Sequence, residues 1–466
     1  MASRTRKVFL GTFIYSKSRE ELSYLVNTAV CVDESGKIAA VREGCDRAKV
    51  EAEVLPELGW SLEEVEVRAC EEGQFFFPGF VDTHIHAPQY PNVGIFGKTT
   101  LMDWLSTYTF PMEAKLAAVD QARRVYTAVI RRMISHGTTS AAIHAARGVE
   151  STNLLADLCL SLGLRALVGR VCMDEKRTCP DFYCDESPED SVLHTRACIA
   201  HVQEIDPGFE MVKPVITPRF APSCTAAALG LLGELRKETG LPVQTHISEN
   251  AGEMALVAEL FPDVKDYATV YDVHGLLGPD TILAHAVHLS EDEAALIAER
   301  GAKVSHCPSS NSCLTSGHAR VRWLWDRGVE VGLGTDMSGG YSPSVLENAR
   351  QASLVSRHVA VGIPDGPEKE RAKLTVEEVL YLATRGGARV MGLGERVGAF
   401  EVGMEFDAVL VGLGLVGEDG VAVGEGNVDV FGWETWEEKI AKWLFNGDDR
   451  NCRAVWVRGT LVHERA

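Results

Sequence analysis

No apolar run in the 466-residue chain approaches the roughly 20 residues needed to cross a bilayer, so no membrane-spanning helix is predicted. Nor is there a CxxC pair: the twelve cysteines are scattered singly. In a long chain without a secretion signal, that pattern predicts reduced thiols and excludes a disulfide framework. Basic residues are in the minority, with 46 Lys and Arg against 66 Asp and Glu and a formal net charge of −20. Such a surface repels phosphate backbones and argues against nucleic-acid binding. It suits a soluble enzyme acting on a neutral or weakly charged small molecule. No internal repeat or low-complexity segment stands out. The opening stretch, MASRTRKVFLGTFIYSKSREEL, carries basic residues, but its apolar part soon gives way to Ser16, Lys17 and Ser18. It reads as a first β-strand and not as a signal peptide, which predicts a cytoplasmic protein.

What is present is ordinary for a globular protein: 45% hydrophobic and 24% charged residues, in a chain longer than one average domain. The middle of the chain alternates regularly. Strand-like runs cover 75–86, 137–145, 165–174, 212–220, 242–248, 281–288, 303–308 and 329–336. Between them lie helix-like stretches. In AAVDQARRVYTAVIRRMIS, apolar residues recur at three- and four-residue spacing. Thr225 and Gly240 bracket another helix, and Ser290 with Glu293 forms a capping-box pattern closed by Gly301. This alternation predicts an α/β protein with a (β/α)8 barrel over 75–399; an open parallel sheet is the second choice. Residues 1–74 and 400–466 read as short β runs with Gly-containing turns. Neither is long enough for its own core, so they are expected to form one composite β domain. WETWEEKIAKWLFNGDD is expected to add a helix.

Five residues stand where apolar runs break into polar ones: His84 and His86 in VDTHIHAP, His246 in QTHISEN, His285 in LAHAVH, and Asp336 in GLGTDMS. A lone His in an apolar run is ordinarily a core residue. Two His at i and i+2 ending a strand share one face, with Ile85 turned away. With three more ligand-type residues at later strand ends, the pattern predicts one metal site. These positions close strands 1, 5, 6 and 8, at the barrel face where chemistry is built. Cys172, Cys179 and Cys184 also cluster, and a second metal site there is the alternative reading; loop cysteines without a fourth well-placed ligand are the preferred one.

These residues carry a resemblance. PGFVDTHIH, HISEN, LAHAVHL, SHCPSSN and GLGTD resemble the amidohydrolase superfamily, in its aminohydrolase branch of deaminases and chlorohydrolases. HIHAPQYPNVG, TPRFAPSC, THISEN, HCPSSNSCLTSG and FNGDDRN resemble, within that branch, the guanine deaminase family. The resemblance runs over nearly the whole chain and is weakest at 34–74 and 176–192. It implies one Zn²⁺ per chain, held by His84, His86, His246 and Asp336, with His285 beside the ion or bonded through its water. It also implies a homodimer and guanine as the small-molecule substrate. The other zinc deaminase architecture, H-x-E followed by P-C-x-x-C, is absent from the sequence.

The expected chemistry needs a nucleophilic water, which zinc supplies by lowering its pKa to roughly 7. Asp336 is placed to act as base. Glu249, three residues after His246, is placed to act as general acid; alternatively it is a helix first-turn carboxylate. Glu249 would protonate N3 while hydroxide attacks C2. Ammonia leaves, xanthine results, and Asp336, Glu249 and His285 are the catalytic set. His246, Glu249 and Asp336 also face the substrate. Gln89 and Arg219 are expected to read the purine edge, Arg219 at O6, and Phe220 to stack on the ring. Alone, each of these three has an ordinary loop, surface or core reading. His306 is expected to orient a ligand or border the pocket, His288 to begin a loop, and His144 to have no role. Trp104 is either a lid or helix packing. Rival activities are deamination of other rings, chlorohydrolysis, or a non-catalytic scaffold of the same fold.

Overall fold

The apolar run 75–86, expected as one strand, is two. Pro78 lacks an N–H, and Gly79 makes the break. A Cβ at Gly79 would sit 2.2 Å from Thr139 Oγ1, so only glycine lets the chains cross this closely. Before the break, Gln74–Pro78 pairs antiparallel with Ala408–Gly412 in a sheet built from both ends of the chain. After it, Phe80–His86 opens the barrel. The computed structural model describes residues 5–424 and 426–465, so the first four residues of the opening stretch lie outside the described residues.

The composite sheet runs in the order Thr460–Glu464, Cys452–Val457, Ala408–Gly412, Gln74–Pro78, Arg6–Ser16, Leu22–Val32 and Ile38–Arg42, with Val65–Ala69 paired to Arg6–Ser16. Neither end of the chain could form this alone. One face packs Phe9, Phe13, Phe76, Phe400, Phe406 and Trp456, with Phe9 stacked on Phe406 at 4.1 Å. The expected helix is Trp436–Asn446, opened by the Thr435 hydroxyl accepting from Glu438 N–H.

Eight parallel strand positions follow in the barrel. They are Phe80–His86, Thr138–His144, Arg165–Gly169, Val212–Pro214, Val243–Ile247, Thr281–His285, Lys303–His306 and Val331–Leu333. The third and fourth resume as Val171–Cys172 and Thr217–Pro218. The ladder closes at two seams. Bridges Ile216–Val243 and Phe220–His246 join the fourth strand to the fifth. At the other seam, Asp336 N–H donates to His84 C=O at 2.8 Å. The closed barrel is therefore present and the open sheet is not.

Helices cover the strands as the periodicity predicts. Val119–Ser135 buries Ala122, Tyr126, Val129, Ile130 and Met133, one face at helical spacing. Ala226–Thr239 begins with Thr225 accepting from Ala228 N–H and ends at Gly240 with φ 65°. Among the described residues, no helix is long and apolar enough to cross a membrane.

Candidate metal centre and active site

The first barrel strand ends with His84 and His86 pointing inward, while Ile85 joins the outer core. His246 is the penultimate residue of the fifth strand, His285 ends the sixth, and Asp336 follows the eighth. The backbone turns sharply at these ends: φ is 75° at His285 and 43° at Asp336, in the left-handed region that non-glycine residues rarely adopt. Such local strain is typical of functional sites. All five predicted ligand residues meet. His84 Nε2 lies 3.2 Å from Asp336 Oδ1, His86 Nε2 3.6 Å from the same oxygen, and His285 Nε2 3.7 Å from Asp336 Oδ2. His86 Nε2 and His246 Nε2 are 3.0 Å apart.

The donor set fits a divalent metal. His246 Nδ1 donates to the Arg219 carbonyl at 2.5 Å, and His285 Nδ1 donates to Asn311 Oδ1 at 2.9 Å. Each bond leaves the Nε2 lone pair facing the centre, the tautomer a ligand needs. His84 Nε2 and His285 Nε2 are buried without a hydrogen-bond partner. His84, His246, His285 and Asp336 bring ligand atoms within 4.8 Å of one another. Burial, reinforced for His86 and His246 by neighbouring imidazoles, holds the pKa of His84, His86 and His246 low, so they stand as neutral ligands. Burial opposes charge on Asp336 too, but the His84, His285 and His246 imidazoles beside it outweigh that and keep the carboxylate ionised. For His285, burial is outweighed by Glu249 and Asp336, which raise its pKa.

Glu249 is not a first-turn helix carboxylate. The helix is Ala251–Leu260, capped by Asn250, and its first-turn acid is Glu253. Glu253 accepts the N–H groups of Glu249 and Asn250 and so fixes the loop. The Glu249 side chain turns into the site instead. Its Oε2 is 3.4 Å from His285 Nε2, and its Oε1 accepts from Ser316 at 3.1 Å. Burial raises its pKa to about 7, against the pull of His285.

Gln89, Arg219 and Phe220 line the same cleft, with Glu249, Trp104 and Leu314, in a space of about 370 Å³ up to its mouth. A buried acid that the sequence reading passed over, Glu113, organises them. Arg219 Nη1 and Nη2 donate to its two oxygens at 2.7 and 3.0 Å, and Gln89 Nε2 donates at 2.8 Å. A carboxylate only accepts, so Glu113 fixes the amide of Gln89 and leaves Gln89 Oε1 as a buried, unpartnered acceptor. The Arg219 guanidinium lies 5.1 Å from the Phe110 ring centroid. The Phe220 ring stands 6.2 Å from His246. A roomier cavity of about 710 Å³ lies outside the barrel among Trp323, Val355 and Leu374. Its Arg322 and Arg371 are already paired with Glu378 and Asp326, whereas the ionisable groups of the smaller cleft converge.

His306 borders that outer cavity and is in neither grouping of ligand atoms that lie within 4.8 Å of one another. His288, expected to begin a loop, lies in the one that follows Thr281–His285. It donates to the Ser316 carbonyl. Trp104 lines the cleft, its Nε1 held by the Ile95 carbonyl. His144, expected to have no role, stands against His84 and His86 with ring centroids 4.7 and 4.6 Å away. Asp82, Asn311 and Ser316 were also passed over. Asp82 accepts from Thr335 N–H at 2.9 Å and Thr335 Oγ1 at 2.6 Å, tying the eighth strand end to the first. Asn311, in SHCPSSN, and Ser316 sit in motifs that were legible as a group but not as individual contacts.

A closed parallel barrel with imidazoles and one carboxylate at its strand ends defines a barrel of the metal-dependent hydrolase class. The chain belongs to the amidohydrolase family, whose model matches residues 75–462. It is 45% identical to a probable guanine deaminase of Schizosaccharomyces pombe, over 99% of this chain and 84% of the relative. It is 39% identical to the guanine deaminase of Homo sapiens, over 98% and 96%. Among solved structures, it matches a guanine deaminase from C. acetobutylicum with guanine bound, with a TM-score of 0.85 and 31% identity over 98% of this chain and 100% of that one.

Proposed function

We propose that the chain hydrolyses guanine to xanthine and ammonia, with one Zn²⁺ held by His84, His86, His246, His285 and Asp336. The observation that carries this is the convergence of two groups on one cleft: the imidazole–carboxylate centre with Glu249, and the Arg219–Gln89–Glu113 cluster. The similarity to guanine deaminases supports the substrate.

A divalent ion at the centre would lower the pKa of a bound water and supply a nucleophile near neutral pH. The protein groups do the rest. Glu249, with a pKa near 7, is part protonated at neutral pH and donates its proton to N3 as C2 is attacked. Asp336, held ionised, takes a proton from the attacking water. Protons returned through Glu249 and Asp336 let the amine leave as ammonia. Gln89 Oε1 accepts from a ring N–H such as N1–H, while Arg219 donates to O6 and Phe220 stacks on the ring. Adenine offers the opposite polarity, an unprotonated N1 and an amine. A site built to hydrogen-bond one group rejects analogues lacking it by up to about 10⁴–10⁵.

Ammonia release from a panel of bases tests this reading. Guanine should be turned over strongly, adenine little and cytosine not at all. Equal turnover of adenine or cytosine removes the substrate assignment and leaves the metal-dependent hydrolase. Elemental analysis should find close to one zinc per chain, lost in His84→Ala/His86→Ala. Finding no metal, or full metal in the double variant, removes the centre. We extend the reading to a cytoplasmic homodimer, supported by the family resemblance; light scattering on the purified protein checks the subunit count.

A further inference from the structure

His144 is a fifth imidazole at the barrel mouth, and the proposed reaction gives it nothing to do. It ends the second barrel strand, paired in register with His86 on the first. Side chains at one height on adjacent parallel strands point the same way. The His144 ring centroid is 4.6 Å from His86, 4.7 Å from His84 and 5.0 Å from His246. The residue is 1% exposed, and neither Nδ1 nor Nε2 has a hydrogen-bond partner. A buried polar atom left without a partner is destabilising. By contrast, His246 and His285 each anchor one ring nitrogen on a neighbour.

A cation satisfies such a nitrogen. His84, His86 and His144 bring ligand atoms within 4.8 Å of one another, a grouping separate from that of His84, His246, His285 and Asp336. Three imidazoles form a sufficient protein set for zinc. Hard cations such as Mg²⁺ and Ca²⁺ select oxygen ligands, which this grouping lacks. We propose that His84, His86 and His144 form a second, alternative position for a borderline divalent cation such as Zn²⁺, Co²⁺ or Ni²⁺. A neutral imidazole has one free lone pair, so His84 serves one position at a time. The chain therefore holds one ion with two addresses. The second has neither Asp336 nor Glu249 in its grouping, so it is a holding position and not a reactive one. The inference shares His84 and His86 with the proposed centre but does not rest on guanine as substrate.

Cobalt affinity, measured by competition with a chelator, tests it in two backgrounds. His144→Phe keeps a ring of similar volume and removes both nitrogens. In the otherwise unmutated chain it should weaken Co²⁺ binding less than about threefold, because the first position dominates. In His246→Gln/Asp336→Asn, where the first position is crippled, the same change should weaken binding at least about 100-fold, since a ligand of the remaining site is lost. Equal losses in both backgrounds, as a merely structural residue would give, overturn the proposal, and so does no loss in the second. If the paired variant does not fold, crystals of His246→Gln soaked in Co²⁺ decide by anomalous scattering. Density within about 2.3 Å of a His144 nitrogen supports the position, and its absence there overturns it. Guanine turnover by the unmutated protein is read separately, so failure of the proposed reaction is distinguishable from failure of this site.

Discussion

Glu249 and Glu113 are both buried acids in the cleft, and their surroundings give them opposite tasks. Glu249 faces one imidazole and one hydroxyl, and burial keeps part of it protonated near neutral pH. Glu249→Gln should keep fold and metal but lose at least the roughly 10²–10⁴-fold that general acid–base catalysis contributes. Near-normal turnover, measured by ammonia release alongside zinc content, would reduce Glu249 to a loop carboxylate. Glu113 is held by the Arg219 guanidinium and the Gln89 amide. In the proposed reaction it touches no reacting atom and acts as a positioning residue, fixing which end of Gln89 faces the substrate. Glu113→Gln keeps the shape but can donate as well as accept, so Gln89 is free to turn over. Guanine kcat/KM should fall by about 10²-fold, on the scale of a lost charged hydrogen bond. Zinc content should hold, and the guanine-to-adenine ratio should shrink. An unchanged ratio would leave Glu113 as a structural partner of Arg219 only.

At the scale of elements, the strand ends carry the site, and they explain what was legible in advance. Ligand-type residues at the ends of apolar runs are a one-dimensional pattern, so His84, His86, His246, His285 and Asp336 could be picked out together. The helix limits at Thr225, Gly240, Ser290 and Gly301 were legible because capping is local chemistry. The split at Gly79 was not, because it depends on Thr139, a neighbour distant in sequence. Glu113 was hidden for the same reason: it comes from the helix Phe110–Lys115, outside any strand end, and meets Arg219 only in the fold. Asn311 shows how loops after strands tune ligands. It lies in the helix Pro308–Cys313 after the seventh strand and orients His285. Asn311→Leu removes the acceptor and should weaken zinc binding about 10–100-fold, read by chelator competition. Unchanged affinity would mean that packing alone orients His285.

The whole molecule depends on how the composite sheet is held against the barrel. Arg165 begins the third barrel strand and is nearly fully buried. It pairs with Asp407 and Glu405, just before the strand Ala408–Gly412 of the composite sheet. Glu405 is also held by Arg396 at 2.6 Å. Burial alone would raise the Glu405 pKa, but Arg165, Arg396 and Arg458 outweigh it and hold the carboxyl below its ordinary range. A carboxylate whose folded pKa is depressed contributes stability that is fully present above its unfolded value, about 4.3, and is lost as pH falls through the lower folded value. The union of barrel and sheet should therefore weaken on acidification below about pH 4, with no contribution to pH dependence between 6 and 8. Glu405→Gln removes this dependence and leaves Arg165 with one carboxylate. Breaking a buried charged pair costs about 3–5 kcal/mol, so the variant should unfold at clearly lower urea at pH 7. Between pH 7 and about pH 2 it should lose less further stability than the unmutated chain, the difference opening only below about pH 4. Equal acid sensitivity in the two proteins would mean that other carboxylates, not this junction, set the acid limit of the fold.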